Sequence, residues 1–229
     1  MASESRTGGT PDDREWSALH GGVQPSPVVR GWLRMVWFLS SGPVARIPPD
    51  ALSAAGVLAL AGAWAAVAGP HWPALAVGLI VAAGVLDGLD GAVALRTGRA
   101  RPLGAVVDAV ADRLGDVVLA AVLAALGAPL VWVLPAIALV LLHEYARARA
   151  QAAGMPGVGA VTVAERPTRL IIVGIAAAGV AVWPAGMPGP GWDWAGALAV
   201  TWIAVGVVGG VQLLVGVRRS IPRAFPPDR

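Results

Sequence analysis

The sequence predicts an all-α integral membrane protein, with six transmembrane helices behind an N-terminal amphipathic interfacial helix. Three observations point there. Of 229 residues 56% are hydrophobic and only 14% charged, against roughly a quarter charged in soluble domains, and mean hydropathy is +0.68. Apolar runs of about 20 residues, the length a bilayer core requires, recur between short Gly/Pro connections. The arginines fall in alternate connections and so lie on one side, as the positive-inside rule demands.

Composition also excludes chemistry. Cysteine is absent and all 17 basic residues are Arg, so disulfides, thiolate metal sites and Cys or Lys nucleophiles are ruled out. The pI near 10.8 comes from arginines beside apolar spans; it is a topological signal and does not call for nucleic acid.

Residues 1–24 are polar and Gly/Ser/Asp-rich without an apolar run, so they read as a disordered cytoplasmic tail, with no cleavable signal peptide evident. Residues 25–229 read as a single membrane-embedded domain. Within residues 26–47, Val28, Trp32, Leu33, Val36, Trp37 and Leu39 recur at near-helical spacing with Arg30 and Arg34 between them. This stretch is too short and too charged to span, and reads either as a helix lying on the membrane face or as one packed on the bundle. Pro48 and Pro49 then break the chain, and Asp50 is placed to cap the next helix.

Spans are expected at about 51–69, 74–95, 104–126, 129–150, 166–184 and 194–217. The connections GPHWP, GAP and PAGMPGPGWD, at 69–73, 127–129 and 184–193, hold no Arg. The other side carries Arg30, Arg34, Arg46, Arg96, Arg99, Arg101, Arg147, Arg149, Arg166, Arg169, Arg218, Arg219, Arg223 and Arg229. That asymmetry predicts a multi-pass cell (inner) membrane protein with cytoplasmic termini. Trp72, Trp183, Trp192 and Trp194 fall at the opposite ends, as an aromatic belt does.

One stretch at the arginine-rich face carries the chemistry. Asp87 and Asp90 are spaced i, i+3 near the end of the second span; Asp108 and Asp112, spaced i, i+4, open the third. On helices each pair shares a face, and a short hairpin is expected to bring the pairs to one depth. Carboxylates beside lipid are costly unless paired or bound to a cation, and facing Asp pairs present hard oxygens suited to Mg²⁺ or Mn²⁺. Gly88, Gly91 and Gly104 remove side chains beside them, to admit either a ligand or a neighbouring helix.

Asp87, Asp90, Gly91, Ala94, Gly104, Asp108 and Asp112 match, with every spacing kept, the signature D-x2-D-G-x2-A-R-x8-G-x3-D-x3-D, so the chain resembles the CDP-alcohol phosphatidyltransferases. Leu95 stands where the signature has Arg. Arg96 is adjacent but about 100° round the helix, and replaces that contact only if the helix end unwinds. PPDALSAAG at 48–56, YARARAQAAG at 145–154 and ERPTRL at 165–170 extend the resemblance toward actinobacterial phosphatidylinositol-phosphate synthases.

The resemblance implies a transferase with a cytoplasmic active site, in which two divalent ions held by the four Asp grip the pyrophosphate of a CDP-linked lipid. An alcohol or polyol-phosphate acceptor, inositol phosphate or glycerol phosphate among the candidates, displaces CMP. It implies Asp112 as general base, Gly88, Gly91, Ala94 and Gly104 around the cytidine, and a homodimer. Arg147, Arg149, Arg166 and Arg169 are expected either to grip the acceptor's phosphate, as Arg does bidentately, or to serve only as positive-inside anchors. A cation-coupled transporter also places carboxylates at membrane depth, but no internal repeat is evident.

His143 and Glu144 read as structural, Asp193 as an N-cap for the sixth span, and Gly206 with Gly210 as a helix interface or homodimer contact.

Overall fold

The computed structural model describes residues 27–157, 160–189 and 191–220. The expected N-terminal tail, Arg223 and Arg229 lie outside the described residues. Among the described residues there are seven α-helices and no strand: α1 Pro27–Leu39, α2 Pro49–Ala68, α3 Pro73–Arg96, α4 Pro102–Ala125, α5 Leu130–Ala152, α6 Arg166–Val182 and α7 Trp194–Ser220, with a 3₁₀ turn at Gly42–Arg46.

Proline sets the helix starts. Pro49, Pro73 and Pro102 each occupy the first helical position, where a fixed φ is already helical and the missing N–H would have had no partner. Asp50 does not cap α2: it falls inside the first turn, and its carboxylate pairs instead with Arg101. Asp193 does cap α7, accepting the Gly196 N–H at 2.5 Å.

α2, α3, α5 and α7 are long and apolar enough to cross a membrane. α4 carries Asp108, Asp112, Arg113 and Asp116 in its first four turns, and α6 is only 17 residues long; charge in one case and length in the other set them apart from the four.

Small side chains allow close approach in the core. Ala63, Ala76, Ala83, Ala176, Ala177 and Ala199 are buried beside Leu60, Leu119, Leu123, Val173 and Trp202, the composition expected where helices pack without help from water. Gly206 abuts Leu139 of α5, and Gly209, rather than Gly210, lies against Ala164. Gly206 and Gly209 therefore serve contacts within the chain, whereas Gly210 meets nothing within 4 Å. At the end where the aromatic belt is expected, the Trp194 ring stacks on Trp183, centroids 6.1 Å apart, and lies over Gly179, where any Cβ would collide with it.

The helix pair bearing the aspartates is not the tight hairpin the sequence suggested. α3 and α4 do not pack along each other. α2 packs against both from one side and α6 bridges both from the other, so the carboxylates line a cleft between splayed helices. α1 crosses the arginine-rich end of α3, burying Val36 among Leu52, Leu89 and Val93 while Phe38 stays 77% exposed. It thus packs on the bundle and keeps an apolar outer edge, consistent with both readings of that stretch.

Candidate functional site

Four helices supply the cleft. On one wall Asp90 accepts the Ser53 hydroxyl at 2.5 Å and the Gly91 N–H at 2.6 Å. Ser53, on α2, went unnoticed in the sequence because a serine in an apolar helix looks like any small packing residue. Asp90 and Asp108 interact across the cleft, as do Asp87 and Asp112.

Between Asp87 and Asp112 stands a guanidinium. Arg166, the first residue of α6, places Nε 2.8 Å from Asp87 Oδ1 and Nη1 2.9 Å from Asp112 Oδ1, and Nη1 donates to the Asp112 carbonyl at 2.7 Å. Room for it comes from Gly115, where a Cβ would lie 2.8 Å from Nη2. Arg166 is 8% exposed.

Among the described residues no three acidic or histidine side chains converge as a metal site, because Arg166 holds one Asp pair while Asp90 and Asp108 face a cavity. The donor set nevertheless fits divalent ions. Four hard carboxylates form two facing pairs, and a cation already sits in one of them, showing that the local charge calls for positive compensation.

The cavity, of about 650 Å³, opens between the start of α2, the end of α3 and the start of α4. Gly91, Ala94 and Gly104 line it together with Ser53, Asp90 and Asp108. Gly88, expected there too, is not on its wall. Its α-carbon faces α1, where a Cβ would lie 3.0 Å from Val36 Cγ2 and 3.5 Å from Trp32 Cζ2. The i, i+3 relation between Gly88 and Gly91 made the two look equivalent, but the docked α1 separates their surroundings.

Leu95 lines the cavity. Arg96 does not replace a cation there: α3 stays helical through it, and the side chain turns to α1, stacking over Trp37 at 4.9 Å and donating to the Trp37 carbonyl at 2.8 Å.

The arginines expected to act together divide. Arg166 bridges the carboxylates. Arg169, 2% exposed, donates to Asp116 at 2.7 Å and to Glu144 at 3.3 Å, and Arg113, which the sequence reading passed over, joins the same Asp116 and Glu144 at 3.2 and 3.1 Å. Arg147 makes two bonds to Glu165, 2.7 and 3.2 Å. Arg149 is exposed, about 200° round α5 from Arg147. His143 sits within this network, 3.2 Å from Arg147 Nη2, in the structural position expected of it. Burial pushes the Glu165 carboxyl up, but the Arg147 and Thr162 hydrogen bonds outweigh it and hold the group below its ordinary value.

The cleft thus combines paired hard anions, a neighbouring cavity with a glycine-lined wall, and arginines at the same end of the bundle. Solved structures share the arrangement of the chain. Mycobacterium tuberculosis phosphatidylinositol phosphate synthase with CDP-DAG bound superposes with a TM-score of 0.59 at 28% identity, over 87% of this chain and 98% of that one. The same synthase in complex with manganese and citrate gives 0.60 at 27%, over 89% and 94%. In sequence, a phosphatidylinositol phosphate synthase of Mycolicibacterium smegmatis is 39% identical over 160 residues, 63% of this chain and 70% of that protein. An archaetidylinositol phosphate synthase of Pyrococcus horikoshii is 40% identical over 104 residues, 43% of this chain and 53% of that protein. The family model described as CDP-alcohol phosphatidyltransferase matches residues 46–211, and this chain belongs to that family.

Proposed function

We propose that this membrane enzyme moves the phosphatidyl group of CDP-diacylglycerol onto an inositol phosphate, releasing CMP. The observation that carries the reading is the pairing of Asp87 with Asp112 and Asp90 with Asp108 beside a cavity sized for a nucleotide. The choice of donor and acceptor is supported by the named relatives, one of which holds CDP-DAG and which are phosphatidylinositol phosphate or archaetidylinositol phosphate synthases.

Asp87, Asp90, Asp108 and Asp112 would hold two Mg²⁺ or Mn²⁺ ions; a relative's complex with manganese supports this class of metal. When bound, such ions neutralise charge on the phosphoryl oxygens of donor and transition state. Ser53 fixes the Asp90 carboxylate by its hydrogen bond. Gly91, Ala94 and Gly104 leave the cavity wall free for the cytidine end of the donor.

The acceptor hydroxyl attacks the phosphorus bearing the lipid, the phosphoanhydride bond breaks, and its electron pair leaves on CMP. Asp112 takes the hydroxyl proton on a carboxylate oxygen. Arg166 fixes the backbone that carries Asp112 by donating to its main-chain carbonyl at 2.7 Å. Among the expected acceptor arginines, Arg166 is the one in contact with the paired aspartates, so it is assigned the acceptor's phosphate, with Arg169 and Arg147 holding the surrounding network and Arg149 acting as an anchor at the membrane surface.

The topology belongs to the same proposal: six spans, with α4 and α6 sheltered among the four more apolar ones, one domain from residue 25 onward, the cleft on the cytoplasmic face of the cell membrane, and a homodimer. The arginine-free connections support the orientation. The test is CMP release from CDP-diacylglycerol with inositol phosphate, glycerol phosphate or serine as acceptor, with and without Mg²⁺. Release with inositol phosphate alone supports the reading; equal release with all three overturns the acceptor assignment.

A further inference from the structure

The cavity is lined by charges of both signs, Asp90 and Asp108 together with Arg99 and Arg101. Leu95, 52% exposed, lines it too and offers an anion nothing. A nucleoside diphosphate brings charge that must be met by cations, and in this cavity those cations come from the connection between α3 and α4.

That connection is built to present them. Gly98, at φ +66°, takes the left-handed conformation that ends a helix at low cost, and the Arg99 N–H returns to the Ala94 carbonyl at 2.9 Å. The chain thereby turns out of α3, and Leu95, Arg99 and Arg101 all come to line the cavity. Arg101 then adopts an extended backbone immediately before α4. Its guanidinium pairs with Asp50 at the start of α2, across the mouth of the cavity. Gly104 gives its side chain room to lie down: a Cβ there would be 3.3 Å from Arg101 Cγ and 3.8 Å from both Arg101 Nε and Asp50 Oδ1.

We propose that Arg101, held over the cavity by Asp50 and Gly104, binds the diphosphate of the CDP-linked donor in this chain and supplies the positive charge that Leu95 lacks. The inference rests on the assignment of this cavity to the donor. Asp50 accepts from one guanidinium nitrogen and leaves the other edge free, so the side chain, although 55% exposed, is biased toward the cavity before a ligand arrives. Arg99 adds a second cation to the lining of the same cavity.

The test uses the full-length protein in nanodiscs, with two readouts: binding of cytidine 5′-diphosphate by calorimetry, and CMP release at varied CDP-diacylglycerol and varied acceptor. Arg101→Ala is expected to weaken cytidine diphosphate binding and raise the donor KM by about tenfold or more, the usual scale for losing a charge-assisted hydrogen bond, with the acceptor KM unchanged. Leu95→Arg in the Arg101→Ala background is expected to restore most of the donor affinity, a recovery that a merely structural role for Arg101 would not give. Asp50→Asn, which keeps Arg101 but loosens its tether, should raise the donor KM by a smaller factor. Wild-type donor affinity in Arg101→Ala overturns the proposal, as does an equal rise in both KM values that Leu95→Arg leaves unrepaired. If the wild-type protein itself binds no cytidine diphosphate, the donor assignment fails and takes this inference with it, an outcome distinct from a variant that binds like wild type.

Discussion

Arg166 and Asp87 meet at 2.8 Å where α6 packs on α3, and the same guanidinium reaches Asp112 on α4, a helix that does not pack along α3. The contact closes the cleft electrostatically, since Asp112 on the opposite wall shares the same guanidinium. A divalent ion binding the aspartates would compete for the oxygens Arg166 now occupies. Arg166→Ala should therefore lower thermal stability in EDTA by about 1–3 kcal/mol, the cost of leaving buried charges without a partner, and Mg²⁺ should recover much of that loss. Melting curves with and without metal check this. Equal destabilisation in both conditions would show that Arg166 and metal do not share a site.

Ser53 offers a gentler probe of the other pair. Its hydroxyl donates to Asp90 at 2.5 Å, and groups that orient a metal-binding carboxylate commonly contribute about 10- to 100-fold in metal affinity. Ser53→Ala should raise the Mg²⁺ concentration needed for half-maximal CMP release by about tenfold, with little change in acceptor KM. A variant with unaltered metal dependence removes Ser53 from the site.

Two glycines three residues apart should respond in opposite ways. Gly91→Ala meets no atom within 4 Å but narrows the cavity, so donor KM should rise while stability holds or gains about 0.5–1 kcal/mol from the better helix former. Gly88→Ala pushes against Val36 at 3.0 Å and should cost about 1–3 kcal/mol of overpacking, seen as faster proteolysis near α1. Identical phenotypes would contradict the division of the two surroundings.

Glu165 predicts a pH effect. Its folded-state pKa lies below the ordinary 4.5, so the stabilisation it gives is complete above that value and is lost as pH falls through the lower folded pKa. Melting temperature should drop on acidification below about 4.5 more steeply in wild type than in Glu165→Gln. Parallel profiles would mean the Arg147 contact contributes nothing to folding.

The helices and the aspartate motif were legible in the sequence because apolar length and i, i+3 or i, i+4 spacing are local properties. The bounds expected for six spans coincide with the helices α2 to α7 to within three residues at each end, and four of these helices are long and apolar enough to cross a membrane. What lay beyond reach was tertiary. The splay of α3 from α4, the insertion of Arg166 over Gly115, the loss of Gly88 to α1 and the capture of Asp50 by Arg101 each depend on which segment arrives from far along the chain. Leu95 stood out as a departure in the motif, but only the structure places Arg99 and Arg101 on the lining of the same cavity. The glycines of α7 illustrate the same limit: G-x3-G spacing pointed to Gly206 and Gly210, whereas Gly209 makes the closer contact.

The central claim is that the four paired aspartates carry metal-dependent phosphatidyl transfer. It is tested most directly by measuring CMP release from CDP-diacylglycerol and inositol phosphate by wild type and Asp108→Asn, each with Mg²⁺ and with EDTA. The account predicts release by wild type in Mg²⁺ only, and none by Asp108→Asn although its melting curve remains cooperative. Full activity of Asp108→Asn, or wild-type release undiminished by EDTA, would contradict it.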